Sequence, residues 1–278
     1  SWCGWQPGDS IVRLWGKRIN ESRWSKMRTK MRQFLFKDSV FDSFKMSQER
    51  MSQYADRINE ISPKVIRGYS HSLYLLAMYI RESARNLTIP ACSSTAEMLF
   101  PHYREEIKSS LSARCFDQYG CGEIRNIAAE CEVHDGLHVN DEHVIVEIVH
   151  KKEMASDVGE LIVTDLDNYG MPFIRYKNGD IAKNIEGECS CGRELSRIGE
   201  IVGRISSSFI TKTGTIVHGE FITHLLNELQ ISQEAGIREF QMIQNDYDKY
   251  HLNLVSKREL SKSEIYHLTC SLKQYLGP

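Results

Sequence analysis

The residues best suited to chemistry gather in a few short stretches of this chain. In Asp117–Glu123, DQYGCGE, Tyr119 can stack on a purine face, and Asp117 can accept a hydrogen bond from an exocyclic amine, with Gln118 between them. Gly120 and Gly122 let the backbone come close to a ligand, while Glu123 offers Mg2+ a hard oxygen near phosphates. The plain alternative is a strand end with a capping turn and a solvated glutamate. Ser93–Glu97, SSTAE, follows a strand-like run; small residues there let a flat ring approach the backbone at Thr95, Ala96 and Glu97. Taken alone, that stretch reads as an ordinary strand–helix connection. Gly179-Asp180 ends the apolar run Pro172–Tyr176 and can put an exposed carboxylate at a sheet rim, where it accepts hydrogen bonds from a sugar's hydroxyls. Arg204 follows Gly203, and its guanidinium could hold phosphate or ribose oxygens in a fork, although an isolated Gly-Arg is ordinarily a surface residue.

A second kind of chemistry is carried by Cys131-x-x-His134, with His138 nearby, and by Cys189-x-Cys191. Thiolates and imidazoles in two short clusters are what tetrahedral zinc requires, and four of these five side chains suffice. Spacing from Cys131 favours His134, with His138 as the alternative. With every position filled such a metal is structural, tying an antiparallel patch to the main sheet. The bland reading is a set of buried or solvent-facing thiols. A redox pair at Cys189 and Cys191 lacks the C-x-x-C spacing and βαβ context that role needs.

Elements able to position these residues follow from the apolar pattern. Helical spacing is predicted at Ser22–Phe36, Ser47–Ile61, Leu73–Arg85 and Pro101–Leu111, with strands at Val65–Arg67, Ile89–Ser93 and Cys115–Tyr119. The stripe Trp24, Met27, Met31, Phe34 and Leu35 in the first helix reads as core. Strand–helix alternation predicts an α/β fold with a mostly parallel sheet covered by helices, and ligands beyond the carboxyl ends of its strands. Gly136–Val149 and Gly159–Tyr176 are strand-rich and predict an antiparallel patch. After Arg204 a hairpin (Phe209–Thr211, Thr215–Val217), a helix Glu220–Leu229, strands Glu239–Gln244 and Tyr250–Val255 and a helix Ser261–Tyr275 predict a small α+β domain. The expected division is 1–204 and 205–278.

A net charge of −2 gives no electrostatic footprint for nucleic acid or an anionic membrane, and the apolar runs are too short to span a bilayer. No charged-then-apolar leader opens the sequence, so a cytoplasmic location is expected, with the eight cysteines reduced, buried or metal-bound.

Taken in order, WCGWQPGD…LWG (2–16), YG-x-x-E (119–123), GELIVT (159–164), RY-x-x-GD (175–180), C-x-CGR (189–193) and IVGR (201–204) resemble the phenylacetate–coenzyme A ligase family. The resemblance includes its capsular-polysaccharide-biosynthesis branch, within the acyl-adenylate-forming superfamily. It implies an AMP-forming ligase that uses ATP and Mg2+ to convert a small carboxylic acid to an acyl-adenylate. The acyl group then passes to coenzyme A or another acceptor. It also implies that Thr95, Ala96 and Glu97 pack along the adenine, that Glu123 lies near metal and phosphate, and that Asp180 binds the ribose. Cys121 stands where relatives often carry Ser or Thr, which removes a hydroxyl contact to phosphate and leaves the backbone contact. Where relatives have a hinge acid after the Gly-Arg, this chain has Ile205-Ser206-Ser207-Ser208. The family's Ser/Thr/Gly phosphate loop and its late lysine do not occur in this sequence. The chain therefore reads as the middle and back of a longer enzyme, expected to form no acyl-adenylate alone. The competing reading is a zinc-stabilised, non-catalytic binding or scaffold module descended from such enzymes.

Overall fold

The computed structural model describes residues 2–16, 24, 27, 31, 33, 37–43, 46–151, 154, 156–204, 208–212, 216–218, 222, 225, 226, 229 and 231–276. Two compact units emerge: 1–146 with 164–174 and 185–200, and 147–163 with 175–184 and 201–278.

The first unit is built on an eight-stranded sheet. Strands β1 (Ile11–Trp15), β2 (Asp38–Asp42), β3 (Val65–Tyr69), β4 (Ala91–Thr95) and β5 (Arg114–Tyr119) pair in parallel in the order β2-β1-β3-β4-β5. Antiparallel β6 (Ala128–Glu130), β7 (Leu137–Val139) and β11 (Arg197–Ile198) extend it from β5. Helices α1 (Gln48–Ile61), α2 (Ser70–Glu82) and α3 (Pro101–Leu111) fall between the parallel strands. Each helix has an inward stripe at helical spacing, such as Met51, Ala55 and Ile58 of α1, and Leu73, Leu76, Ala77 and Ile80 of α2. Ser47 caps α1 by accepting the Arg50 N–H, as the sequence predicts. These stripes meet Val12, Leu14, Ile66, Cys92 and Cys115 in one core, while Val65, Ala91 and Phe116 pack with Cys3 and Trp5 in a second cluster. The period-two alternation of β3, β4 and β5 divides their residues between the two clusters.

The second unit holds a four-stranded sheet in the order β12-β10-β9-β8, from β8 (Val144–Val149), β9 (Val158–Asp165), β10 (Tyr176–Lys183) and β12 (Ile201–Arg204). Gly159 of β9 has a packing reason to be glycine. A Cβ there would lie 2.6 Å from Ile148 Cγ2 and 2.9 Å from the Val149 carbonyl oxygen. Gly159→Ala is expected to cost about 1–3 kcal/mol, measured as a lowered denaturation midpoint, because the obstacle includes backbone. The adjoining Glu160 is buried, with its carboxylate 2.9 Å from Lys151 Nζ and 3.7 Å from Lys177 Nζ.

The small hairpin β13 (Ser208–Ile210) and β14 (Ile216–His218) forms with Phe209 opposite Val217. Strands β15 (Glu239–Asp246) and β16 (Lys249–Val255) pair antiparallel, and a short α4 (Ile231–Glu234) precedes them. Helix α5 (Lys262–Leu276) closes this part, and Met242, Leu252, Leu254 and Leu272 pack around a core of Ile222, Leu225, Leu226, Ile231 and Leu268. The predicted helices Ser22–Phe36 and Glu220–Leu229 lie mostly outside the described residues, as do 205–207 of the presumed hinge. At described positions the stripe Trp24, Met27 and Met31 is 78%, 59% and 59% exposed, so these three are not core. Among the described residues no helix is long and apolar enough to cross a membrane.

Candidate functional site

Chain direction in the parallel sheet brings the ends of β3, β4 and β5 to one edge. Tyr69 stands opposite Thr95, and Thr95 opposite Gln118, so the residues that follow each strand emerge side by side. The strand β4 begins and ends two residues later than the sequence suggests. Ser93, Ser94 and Thr95 are therefore buried ladder residues, and only Ala96 and Glu97 form the turn, with Ala96 in the left-handed region at φ 67°. Glu97 sits at the start of α2, where its carboxylate accepts the His71 N–H at 3.0 Å, a favourable place for an anion. The Ser70 hydroxyl donates to the Glu97 carbonyl at 2.8 Å and contacts Ser94 Oγ, locking β4 to the helix.

At the next strand end Tyr119 is buried and pairs with Ala128, after which the chain turns through Gly120–Glu123. The Cys121 N–H donates to the Ile124 carbonyl at 3.0 Å and closes this turn. A Cβ on Gly120 would stand 2.9 Å from the Asn126 backbone nitrogen, so the motif's glycine is dictated by a close backbone approach. Glu123 is exposed at the tip.

Behind the rim lies a buried polar network that the motifs did not reveal. The Glu130 carboxylate receives both guanidinium nitrogens of Arg104, at 2.7 Å and 3.0 Å, and also the Asp117 N–H at 2.9 Å. One sequence signal was available: Arg104 shares the inward stripe of α3 with Ile107 and Leu111, and an inward arginine needs a buried acid. Burial, then the nearby Glu130 charge, push the Asp117 pKa up to about 7 against the Gln118 backbone and Arg104. The folded state thus holds this proton more tightly than the unfolded chain between pH 3.8 and about 7. Stability from this group is complete below the lower value and is lost as pH rises through the upper one. Asp117→Asn removes that dependence. Relative to the variant, the wild type is expected to lose on the order of 2 kcal/mol between about pH 5 and 8 in denaturant titrations.

A cavity of about 530 Å³ in this unit is lined by Trp2, Phe116, Asp117, Gln118, Glu130 and Asn140 among others.

The sulfur-rich cluster also lies in the first unit. Ligand atoms of Cys131, His138, Cys189 and Cys191 all fall within 4.8 Å of one another. Cys131 Sγ is 3.7 Å from Cys189 Sγ, and Cys191 Sγ is 3.4 Å from His138 Nε2. Pairing of β7 with β11 produces this arrangement: His138 stands opposite Arg197, and the Val139 N–H donates to the Ser196 carbonyl at 2.8 Å. The loop bearing both Cys189 and Cys191 is thereby brought to β7. The Val133 N–H points at Cys131 Sγ from 3.4 Å, and the Gly192 N–H donates to the Cys189 carbonyl at 3.2 Å. Around the cluster, Trp2 meets the His138 ring edge-on at 5.6 Å, and Arg193 covers Trp2 at 5.3 Å.

His134 is not part of the group, which corrects the preference drawn from spacing. Its N–H donates to the Cys131 carbonyl, its backbone turns left-handed at φ 57°, and its Nδ1 lies 2.9 Å from Glu130 Oε2 and 3.2 Å from Arg104. The tight turn that follows Cys131 carries the ring away from the sulfurs, and His138 occupies the fourth position.

Electrostatics within the cluster suit a soft divalent cation. Burial lowers the His138 pKa, with Arg193 and Arg197 acting the same way against the Leu195 backbone and Glu132, which keeps the imidazole neutral. Burial pushes Cys131 up to about 11, and the neighbouring thiols add to this. For Cys191 burial also raises the pKa, but the Arg193 backbone and guanidinium and the other thiols bring it to about 7. Three sulfurs and one neutral imidazole, buried or nearly so, supply the four soft donors that a closed tetrahedral site needs. The residues present therefore fit a structural zinc ion.

Asp180 and Arg204 belong to the second unit, directly opposite each other on β10 and β12. The expected apolar strand Pro172–Tyr176 instead begins at Tyr176, so Gly179-Asp180 lies within β10 and not at its end. Asp180 is 5% exposed, contrary to its exposed appearance in the sequence. Its Oδ1 accepts from Arg204 Nε at 2.9 Å, and its own N–H donates to Asn178 Oδ1 at 3.0 Å. The ladder between β9 and β10 shifts register between Lys177 and Ile181, an irregularity of the kind found where a sheet re-aims a side chain.

Residues 209–278 match the family model of the CapK C-terminal domain. Protein CapK of Staphylococcus aureus is 24% identical over 230 residues, covering 81% of this chain and 49% of CapK. A phenylacetate-coenzyme A ligase of Pseudomonas putida is 27% identical over 194 residues, covering 66% of this chain and 44% of that enzyme. The chain thus spans about half the length of the curated relatives it matches. Among solved structures, 2-hydroxyisobutyryl-CoA ligase in its postadenylation state superposes with a TM-score of 0.69 at 18% identity, over 99% of this chain and 61% of that one. By sequence this chain is a relative of CapK and the phenylacetate–coenzyme A ligases, and it shares the fold of the adenylate-forming acyl-CoA ligases.

Proposed function

We propose that this chain supplies the nucleotide rim and the small C-terminal domain of an AMP-forming ligase. The enzyme activates a small carboxylic acid with MgATP and passes the acyl group to coenzyme A or a comparable acceptor, as in phenylacetate–coenzyme A ligase. The observation that carries the reading is the position of YG-x-x-E. The motif leaves the carboxyl end of parallel strand β5 in register with the end of β4, where an α/β sheet presents ligands. In this reading Tyr119 stacks on the purine, and Asp117 and Gln118 face its edge. Thr95, Ala96, Glu97 and Gly120 shape the floor, and Glu123 binds Mg2+. In the second unit Asp180, paired with Arg204, is an acceptor of the kind ribose hydroxyls need, and the ribose and phosphate roles of this pair rest on the family resemblance alone. Cys131, His138, Cys189 and Cys191 hold a structural zinc. Residues 205–278 form the small domain, within which 209–278 match the CapK C-terminal model.

Isothermal titration with ATP and AMP, alongside metal analysis of the purified protein, tests this assignment. Tyr119→Ala is expected to weaken the nucleotide by about 1–3 kcal/mol, the usual worth of a base–aromatic stack. Zinc retained with neither nucleotide bound would favour the scaffold module instead.

A further inference from the structure

Glu130 and Cys131 are adjacent in the chain yet serve different clusters. Cys131 Sγ belongs to the sulfur–imidazole group. The buried Glu130 side chain, 10% exposed, has three partners: Arg104 on α3, His134 in the turn after Cys131, and the Asp117 N–H of β5. Its contact with Asp117 substitutes for backbone pairing. Strand β6 pairs with β5 only at Tyr119–Ala128 and Gln118–Ala129. One step further the chain turns towards the cysteine cluster, and a side-chain carboxylate takes the amide that the ladder would otherwise serve. The geometry of β5 two residues before Tyr119 therefore depends on where Glu130 is held. Arg104 and the pairing with Leu137 hold Glu130 from one side, and Cys131 with the turn to His134 holds it from the other.

We infer that metal binding at Cys131, His138, Cys189 and Cys191 sets the position of β5 through Glu130, so that metal occupancy tunes the purine side of the nucleotide site. The nucleotide part of this inference rests on the function proposed above, whereas the strand coupling stands on its own contacts. Glu130 is a positioning residue, touching neither metal nor nucleotide. Coupling of this kind is reciprocal: the factor by which zinc tightens ATP is the factor by which ATP tightens zinc.

Backbone hydrogen exchange and ATP titration, each on zinc-loaded and chelator-stripped protein, test the inference. Stripping zinc is expected to speed exchange of the Asp117 amide about tenfold or more, with Ile66 in β3 unchanged, and to weaken ATP about fivefold or more. In Glu130→Gln, zinc should still bind while ATP affinity stops responding to it. If that variant fails to fold, the wild-type exchange measurement decides by itself. Unchanged Asp117 exchange on stripping, a full ATP response in Glu130→Gln, or a protein that takes up no zinc would each overturn the coupling. Absence of ATP binding in both metal states, with Asp117 exchange still metal-sensitive, would remove the proposed function and uphold the coupling.

Discussion

Replacing Cys189 and Cys191 together by serine is expected to abolish stoichiometric zinc and to lower the melting temperature by about 10 °C or more. The reason is topological. Strand β11 is only two residues long, and β7 only three, so backbone pairing alone holds this edge of the sheet weakly. A metal with ligands at 131, 138, 189 and 191 closes a loop of more than fifty residues, and it cancels the mutual repulsion of three close sulfurs. Losing it leaves buried thiols and the His138 ring packed against Trp2 with no common partner. The matching control is His134→Ala. That variant should keep its zinc, because the His134 ring binds Glu130 and Arg104 and lies outside the cluster. Metal content by emission spectroscopy and melting by calorimetry read both outcomes. Zinc lost from His134→Ala but kept in His138→Ala would reverse the ligand assignment.

For Asp180→Ala the expected result is a ten- to hundredfold loss of ATP affinity, about 1.5–3 kcal/mol, with stability nearly unchanged. On the function proposed above, the loss of affinity follows from removing a charged acceptor for the ribose hydroxyls. The modest stability effect follows from the partner: the Arg204 side chain is 63% exposed, so water solvates its guanidinium once the carboxylate is gone. A purely structural Asp180 would give the opposite pattern, with unfolding brought forward and affinity intact. Asp180→Asn separates these further, since it preserves volume and one acceptor and should lose less affinity than alanine.

Several elements were legible because local residue types decide them. Helix α3 starts at Pro101 and ends at Leu111 as its apolar spacing predicts, and the Ser47 cap stands where a short polar side chain before a helical stripe must stand. Strand ends were less legible. Sequence reading ended the strand at Ser93 and left Ser94 and Thr95 to a turn of small residues, but pairing with β3 and β5 on both sides carries the strand on to Thr95. Asp180 looked like a strand end because Gly-Asp is turn-like, yet the strand continues through it to Lys183 and buries the carboxylate. Trp24, Met27 and Met31 failed for another reason: a stripe shows which face is apolar, not that anything covers it.

The amino-acid sequence alone determined the alternation that makes a parallel sheet, the order of the ligase-like motifs and the supply of thiols and imidazoles. Those are properties of residue type and near-neighbour spacing. Only the tertiary structure decided that His138 and not His134 joins the cysteines, and that Glu130 links their turn to β5. These choices depend on a left-handed backbone at His134 and on pairing between strands some sixty residues apart. Spacing along the chain carries no information about either.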